Sequence, residues 1–186
     1  MPLTGSSTHR EGILQGTDKD RRGIIRPLQA QDRQPILELL KQTGMFTERE
    51  LSIALELVDT VLTTPGQQDY IIYVYEADKE VLGYYCVGPT PATVGTFDLY
   101  WIAVTPSEHG RGIGGTLDRH AEMLIRSLGG RLILAETSSQ AKYKKTHKFY
   151  LRRGYAELSR IKDYYRSGDD LVVYGKYIHQ AQEGGK

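Results

Sequence analysis

Residues 102–117 read IAVTPSEHGRGIGGTL, an apolar strand that runs through a short loop and a glycine turn into an amphipathic helix. Glycine lets the backbone come close to a ligand, and the successive N–H groups of such a turn converge on one point. The positive end of the helix dipole favours an anion at the same place. The stretch therefore predicts a phosphate-binding site.

Spacing separates the possible phosphate ligands. A nucleoside-triphosphate loop needs a Lys-Ser/Thr pair after its last glycine, whereas Gly115 is followed by Thr116 and Leu117. Gly110, Gly112 and Gly115 do spell the dinucleotide fingerprint G-x-G-x-x-G. That fingerprint starts directly at a strand end, but five residues precede the first glycine here, and the chain before them resembles hairpin strands. Spacing therefore disfavours a nicotinamide dinucleotide.

The segment resembles motif A of the GNAT superfamily, the acetyl-coenzyme A dependent N-acetyltransferases, in which a V-x-P strand end precedes Q/R-x-x-G-x-G/A. Val104 and Pro106 match that pattern, as do Gly112 and Gly114, while His109 stands where the family usually has Gln or Arg. The resemblance covers residues 24–178 and implies that acetyl-coenzyme A binds here as acetyl donor. The coenzyme-binding residues that it implies are Ile102, Val104, His109, Gly110, Arg111, Gly112, Ile113, Gly114, Gly115 and Thr116.

Composition limits the class of protein. A chain of 186 residues with 39% hydrophobic residues can form one domain with a sizeable core. Its net charge of +1 gives no general attraction to nucleic acid or to anionic lipid. No run approaches the ~18 apolar residues of a membrane span, and the N-terminus lacks the apolar core of a secretory signal. We therefore expect a cytoplasmic protein, either a monomer or a homodimer.

Cysteine and histidine give no sign of a metal site. Cys86 is the only cysteine, so an intramolecular disulfide and a thiolate cluster for zinc are both excluded. The five histidines lack metal-ligand spacing. On strand periodicity we expect Cys86 to be a buried apolar residue rather than a nucleophile.

Periodicity predicts an α/β domain with a mixed sheet. The order is strand, two helices, three strands, helix, strand, helix and two strands, which coincides with the GNAT fold of about seven strands flanked by about four helices. We expect residues 1–22 to be a disordered tail, residues 23–178 the domain and residues 179–186 a polar tail. Thr47 and Glu50 form a capping box that starts the second helix.

Residues 149–155, FYLRRGY, resemble the family's motif B, whose helix ends in Y-x-x-x-G-[FY]. The resemblance implies that Tyr150 donates a proton to the departing coenzyme A thiolate, a role that suits a phenol of pKa ~10. Tyr143 and Thr146 depart from the Asn and Ala that commonly precede this tyrosine. The structural alternative is an aromatic ring that packs on the sheet.

A protonated amine cannot attack a thioester, so the reaction needs a base or the neutral amine. Asp98, on the strand that enters motif A, matches the position where some family members carry a catalytic glutamate. Glu136, at the end of the next strand, is the rival base. Asp98 could also simply start its strand in solvent.

The basic helix at residues 142–153 is open to two interpretations, because Tyr143 and Tyr150 interleave its lysines and arginines. One interpretation is an RNA-binding face. The other is a solvated surface near the coenzyme phosphates, which is favoured because the chain as a whole is not basic. The expected activity is acetyl transfer from acetyl-coenzyme A to a primary amine by direct attack in a ternary complex. The alternative is a catalytically silent domain that binds acyl-coenzyme A or a partner.

The sequence leaves the amine acceptor open. In the family, the residues that shape the acceptor site come from the first two helices and from the loop between the last two strands, here residues 45–62 and 163–170. Neither segment contains a dense acidic cluster of the kind that selects polyamines or aminoglycosides. A small amine, an amino-acid derivative, a protein N-terminus or a lysine are all compatible with these residues.

Overall fold

A computed structural model describes residues 23–178, so both predicted tails, residues 1–22 and 179–186, lie outside the described residues. Seven strands are found between these limits: β1 (Ile24–Pro27), β2 (Ile71–Ala77), β3 (Glu80–Pro89), β4 (Thr96–Val104), β5 (Leu132–Ser138), β6 (Ala156–Arg166) and β7 (Asp169–Tyr177). The helices are α1 (Arg33–Thr43), α2 (Glu48–Thr63), α3 (Ile113–Ser127) and α4 (Lys144–Arg152). Short 3-10 turns occur at Ala30–Asp32, Pro106–Glu108 and Ala141–Tyr143.

The strands form one mixed sheet in the order β1-β2-β3-β4-β5-β7-β6. The β4–β5 pair is parallel and every other neighbouring pair is antiparallel. The chain crosses from β4 to β5 through α3, as a parallel connection requires. The predicted single domain with a mixed sheet and flanking helices is confirmed.

Local sequence signals mark the start of α2 and the turn between β2 and β3. The Thr47 hydroxyl accepts the Glu50 N–H at 3.3 Å, and the Glu50 carboxylate accepts the Thr47 N–H at 2.7 Å, so the capping box is present. The β2–β3 turn has Asp78 and Lys79 at φ of 52° and 67°, both in the left-handed region. Such angles are typical of a tight two-residue hairpin. Residues 77–80, ADKE, predict this hairpin because they are a short polar segment between two apolar ones.

Two apolar cores lie on opposite faces of the sheet. The core under α1 and α2 contains Ile36, Leu40, Val58, Tyr84 and Cys86, each fully or almost fully buried. The other core lies under α3 and α4 and includes the side chains of Tyr85, Val87, Leu117, Ile125, Ile133 and Tyr150. The predicted burial of Cys86 is confirmed, and this burial raises the pKa of its thiol to about 12. Cys86 is therefore a thiol rather than a thiolate at neutral pH.

A β-bulge at Tyr100 reorganises the centre of the sheet. Leu99 pairs with Val87 and Trp101 pairs with Cys86, so Tyr100 is the extra residue on β4. Side chains that face α3 and α4 therefore change from odd positions before the bulge to even positions after it. The bulge is therefore the point at which β4 turns the side chains of Ile102 and Val104 to the face of α3.

β4 and β5 diverge at the same place. They pair from Thr96–Asp98 to Leu132–Leu134, and no further β4–β5 pair is formed within residues 23–178. β4 continues to Val104 and β5 to Ser138. The sheet therefore opens into a gap between the carboxyl ends of its two central parallel strands.

None of the helices described here is long and apolar enough to cross a membrane. Within residues 23–178 no group of three or more metal-ligating side chains is close enough to hold an ion.

Candidate active site

The glycine turn lies at the mouth of the gap. Gly110 and Gly112 have φ of 84° and 86°, conformations that favour glycine, and a Cβ at either position would meet no atom within 4 Å. Gly112 is the N-cap residue of α3, and no side chain within residues 23–178 accepts a hydrogen bond from the N–H groups at this helix start. The turn therefore presents bare backbone to open space at the positive end of a helix of 15 residues.

The first N–H groups of α3 are available to a ligand. The N–H of Thr116 donates to the carbonyl of Gly112 at 3.0 Å, which is the first bond of the helix. The N–H groups of Ile113, Gly114 and Gly115 donate to no backbone carbonyl of the described residues. These three donors converge on the space in front of the helix, which is the arrangement that binds phosphate oxygens.

A crevice of about 460 Å³ extends from these donors along β4. We call it the glycine crevice; its floor includes Ile102, Val104 and Gly114. α4 supplies the opposite wall through Phe149, with the cations Lys145 and Arg152 at the rim. A Cβ on Gly114 would lie 3.3 Å from the Phe149 ring and 3.8 Å from a Val104 methyl group, so the absence of a side chain keeps the crevice open.

Two of the predicted contacts are engaged within the protein. The ring of His109 lies 2.9 Å, through Nε2, from the carbonyl oxygen of Val104 and ties the loop to the end of β4. The Arg111 guanidinium donates to the carboxylate of Glu108 at 2.8 Å, and neither Arg111 nor Thr116 lines the crevice. The other predicted coenzyme residues, Ile102, Val104, His109, Gly110, Gly112, Ile113, Gly114 and Gly115, all line it.

Backbone groups of β4 face the gap. The Thr105 N–H donates to the Leu82 carbonyl on β3 at 2.9 Å. Because backbone groups alternate along a strand, those of Ile102 and Val104 lie on the opposite edge, where β5 has diverged. This edge can therefore pair with an extended ligand that enters through the glycine crevice.

The crevice continues into a second space of about 850 Å³, the central cavity, with which it shares Ile102, Val104 and His109. Glu136 on β5 and Tyr150 on α4 line the central cavity. Asp98 lines neither space, because it lies where β4 and β5 are still paired and its carboxylate accepts the Thr90 hydroxyl at 2.8 Å. The geometry thus brings together Tyr150 and Glu136, and it leaves Asp98 at the edge of the site.

The pKa values of both cavity groups are raised. Partial burial and, secondarily, the nearby charge of Asp98 raise the pKa of Glu136. Its side chain has no hydrogen bond or ion pair with another residue between 23 and 178. Burial, with a smaller contribution from Asp118, raises the pKa of Tyr150 above the usual range of a phenol. The Tyr150 phenol is therefore protonated at neutral pH, and Glu136 binds a proton at a higher pH than an ordinary glutamate.

Tyr150 is held in place by its neighbours. Its ring is 5% exposed and lies 5.3 Å from the Tyr155 ring and 5.5 Å from the Tyr174 ring, centre to centre. Tyr155 donates to Asp118 on α3 at 3.1 Å, and Arg153 donates to the same carboxylate at 2.8 Å. Tyr150 therefore packs among the aromatic rings of the core, as the structural alternative expects, and it also lines the central cavity.

Aromatic residues that sequence patterns do not single out complete the cavity. Phe46, Trp101 and Tyr165 line it from three separate elements, together with Tyr143. Residues 45–62 and 163–170 were expected to shape the acceptor side, and Phe46 and Tyr165 lie within them. Only the range could be predicted, because no local pattern reports which of these rings faces the cavity.

Comparisons with known proteins agree with this geometry. The acetyltransferase (GNAT) domain family matches residues 68–157. A GNAT-family protein of known structure from Desulfovibrio desulfuricans is 39% identical, with a TM-score of 0.81 over 84% of this chain and 99% of that chain. The chain finds no match among curated proteins.

More distant structures share the fold. The ribosomal-protein-S18-alanine N-acetyltransferase of Escherichia coli is 17% identical, with a TM-score of 0.68 over 89% of this chain and 99% of that chain. The PaiA N-acetyltransferase of Thermoplasma acidophilum, solved in complex with coenzyme A, is 18% identical, with a TM-score of 0.63 over 84% of this chain and 99% of that chain.

Proposed function

The chain belongs to the GNAT family of acetyltransferases, and from this membership and the site we propose that it transfers an acetyl group from acetyl-coenzyme A to a primary amine by direct attack. One observation carries the proposal. A glycine crevice with free helix N–H groups leads into a cavity that holds a carboxylate, Glu136, and a protonated phenol, Tyr150. Phosphate binding and amide formation need these two compartments in this order.

The crevice is the proposed coenzyme site. The N–H groups of Ile113, Gly114 and Gly115 would bind the pyrophosphate, and the rim cations Lys145 and Arg152 would add electrostatic attraction. The backbone groups of Ile102 and the N–H of Val104, whose carbonyl already contacts His109, would pair with the amide groups of the pantetheine arm. This path would carry the thioester along β4 from the glycine turn to the central cavity.

We propose Glu136 as the base, in preference to Asp98. Glu136 lines the cavity and has no competing partner in the part of the chain described, whereas Asp98 accepts a hydrogen bond from Thr90 and lies beside the cavity. A raised pKa suits a carboxylate that must take a proton from an ammonium group. Asp98 then contributes through its charge, which helps to raise that pKa.

Tyr150 is the proposed acid. As the amine nitrogen bonds to the acetyl carbon, the carbon–sulfur bond breaks and coenzyme A leaves as a thiolate. The Tyr150 hydroxyl donates its proton to that sulfur; because burial raises the pKa of the phenol, the group carries its proton when the thiolate forms. Glu136 accepts one proton from the ammonium group, which makes the nitrogen nucleophilic. The second proton that the nitrogen loses as the amide forms passes to the Tyr150 phenolate and restores the phenol.

The second candidate is a catalytically silent domain that binds acyl-coenzyme A or a partner. Two measurements distinguish an acetyltransferase from a silent domain. Calorimetry with acetyl-coenzyme A tests binding, and thiol release in the presence of a panel of primary amines tests transfer. The buried Cys86 thiol gives little background in the second assay. Binding with amine-dependent release supports the enzyme, whereas binding without release from any amine supports the silent domain.

A further inference from the structure

The acceptor side of the central cavity is walled by aromatic rings from four segments. Phe46 precedes α2, Trp101 lies on β4, Tyr143 precedes α4 and Tyr165 lies on β6. Phe46 and Trp101 meet edge to face with ring centres 4.9 Å apart. These rings are half-buried or, for Tyr165, 49% exposed, so each still offers surface to a ligand.

Two carboxylates and one lysine near these rings are engaged within the protein. Asp169 accepts hydrogen bonds from Ser138 and Gln140, and the Glu50 carboxylate is held by the backbone and hydroxyl of Thr47. On the cationic side, Lys142 donates to the carbonyl of Met45 at 2.7 Å. These groups therefore offer little to a ligand that carries several charges.

Glu136 is the cavity carboxylate without a partner in the described part of the chain. Its charge reaches the aromatic wall, because burial and then Glu136 raise the pKa of Tyr165. The cavity thus combines one free anion with several aromatic faces, a pairing that binds a single ammonium group through charge and cation–π attraction.

We propose that the acceptor is an arylalkylamine: a primary amine with one positive charge on a short chain that carries an aromatic ring. This inference rests on the proposed acetyl transfer and names its acceptor class. The ammonium group lies between Glu136 and Tyr165, and the aryl ring packs on the edge-to-face pair of Phe46 and Trp101. Offset and edge-to-face contacts with those rings favour an aryl group over an alkyl group of similar size.

The test compares amines that differ in one property at a time. 2-Phenylethylamine is measured against 2-cyclohexylethylamine, which keeps size and charge but lacks aromaticity, and against spermidine, which adds charges. A peptide with a free N-terminal alanine represents a protein acceptor. We expect kcat/KM for 2-phenylethylamine to exceed that for every other amine by about tenfold, which corresponds to one good aromatic contact.

Adjacent tyrosines supply the matched variants. Tyr165 lines the cavity and Tyr164 does not, although both lie on β6 and are 49% and 57% exposed. Tyr165→Ala should raise KM for 2-phenylethylamine about tenfold, because it removes a ring next to the ammonium group, while Tyr164→Ala leaves this KM unchanged. Phe46→Leu, which keeps an apolar side chain without a ring, should reduce the preference for phenyl over cyclohexyl.

Several results would overturn the inference. Equal use of the phenyl and cyclohexyl amines, or better use of spermidine or the peptide, would show that the rings do not select the acceptor. An effect of Tyr164→Ala equal to that of Tyr165→Ala would do the same. Failure of the proposed function is distinguishable, because acetyl-coenzyme A would then bind and none of these amines would be acetylated.

Discussion

Glu136 and Asp98 are neighbouring carboxylates whose surroundings assign them different parts in the proposed chemistry. Glu136 faces the central cavity without a partner in residues 23–178, and Asp98 accepts the Thr90 hydroxyl where the strands are still paired. The charge of Asp98, after burial, raises the pKa of Glu136. Glu136 must be ionised to accept a proton, so turnover should fall as the pH drops through this raised pKa.

We therefore expect Asp98→Asn to change the pH dependence of turnover rather than its maximal rate. Removing the charge lowers the pKa of Glu136 toward its ordinary value, so the acidic limb of the pH–rate profile should move to lower pH with the plateau retained. Glu136→Gln should instead lower kcat by ~10²-fold or more across the profile, the usual contribution of a general base. One amine must serve all three proteins, because its own ionisation also shapes the profile.

Exchange of these two outcomes would assign the base to Asp98. In that case Asp98→Asn would abolish turnover, and Glu136→Gln would leave the plateau unchanged.

Tyr150→Phe tests the acid. The variant keeps the ring that packs against Tyr155 and Tyr174 and removes only the proton donor. We expect kcat to fall by ~10²-fold and the dissociation constant of acetyl-coenzyme A to stay the same, because the proton moves in the transition state. Tyr174→Phe, in the same cluster but outside the cavity lining, is the control. Full turnover by Tyr150→Phe would remove the acid role.

At the residue scale, the sequence predicts the tyrosine better than the carboxylate. Tyr150 stands at a fixed spacing from Gly154 within one helix end, so a local pattern locates it. The ranking of Asp98 and Glu136 depends on where two strands diverge and on Thr90, which is remote from Glu136 in the chain. The alternation of apolar and polar residues within a strand predicts neither the point where β4 and β5 diverge nor the hydrogen bond from Thr90.

At the scale of elements, the crevice depends on the close approach of α3, α4 and β4. Gly114→Val should abolish detectable binding of acetyl-coenzyme A in calorimetry, because its Cβ would lie 3.3 Å from Phe149 and its methyl groups would fill the crevice. Met123→Val, on an exposed part of the same helix, controls for the β-branched side chain. Unchanged affinity in folded Gly114→Val would place the coenzyme elsewhere.

A buried carboxylate fastens the same elements. Asp118 on α3 is 1% exposed and binds Arg153 after α4, Tyr155 and, at 3.8 Å, Lys176 on β7. Asp118→Ala should lower the free energy of unfolding, measured in urea, by about 3 kcal/mol, because it leaves the donors of Arg153 and Tyr155 without their acceptor. Asp59→Ala, which breaks the exposed pair with Arg33, should cost less than about 1 kcal/mol. Similar losses would contradict this account of Asp118.

Sequence patterns locate the elements but not their irregularities. The Thr47 capping box and the hairpin at residues 77–80 are local, and both are found where predicted. The bulge at Tyr100 has no comparable signal, because it depends on pairing between β3 and β4. The aromatic wall has none either, because its four rings come from segments far apart in the chain.

At the scale of the whole molecule, the site lies where the central parallel strands separate. Both cores are complete on either side of the sheet, so the divergence of β4 and β5 leaves one opening at their carboxyl ends. The glycine turn at the end of β4 and the carboxylate on β5 both face this opening. The fold therefore places the proposed phosphate-binding turn and the proposed proton acceptor at the same opening.

We propose that the protein converts acetyl-coenzyme A and a primary amine into coenzyme A and an amide at this opening. The most direct measurement is mass spectrometry of the amines after incubation with acetyl-coenzyme A that carries carbon-13 in its acetyl group. We predict that the unsubstituted protein forms a labelled amide. Glu136→Gln should bind the coenzyme with equal affinity and form the amide ~10²-fold more slowly. Tight binding of the coenzyme with the label retained on it, whichever primary amine is supplied, would contradict the claim.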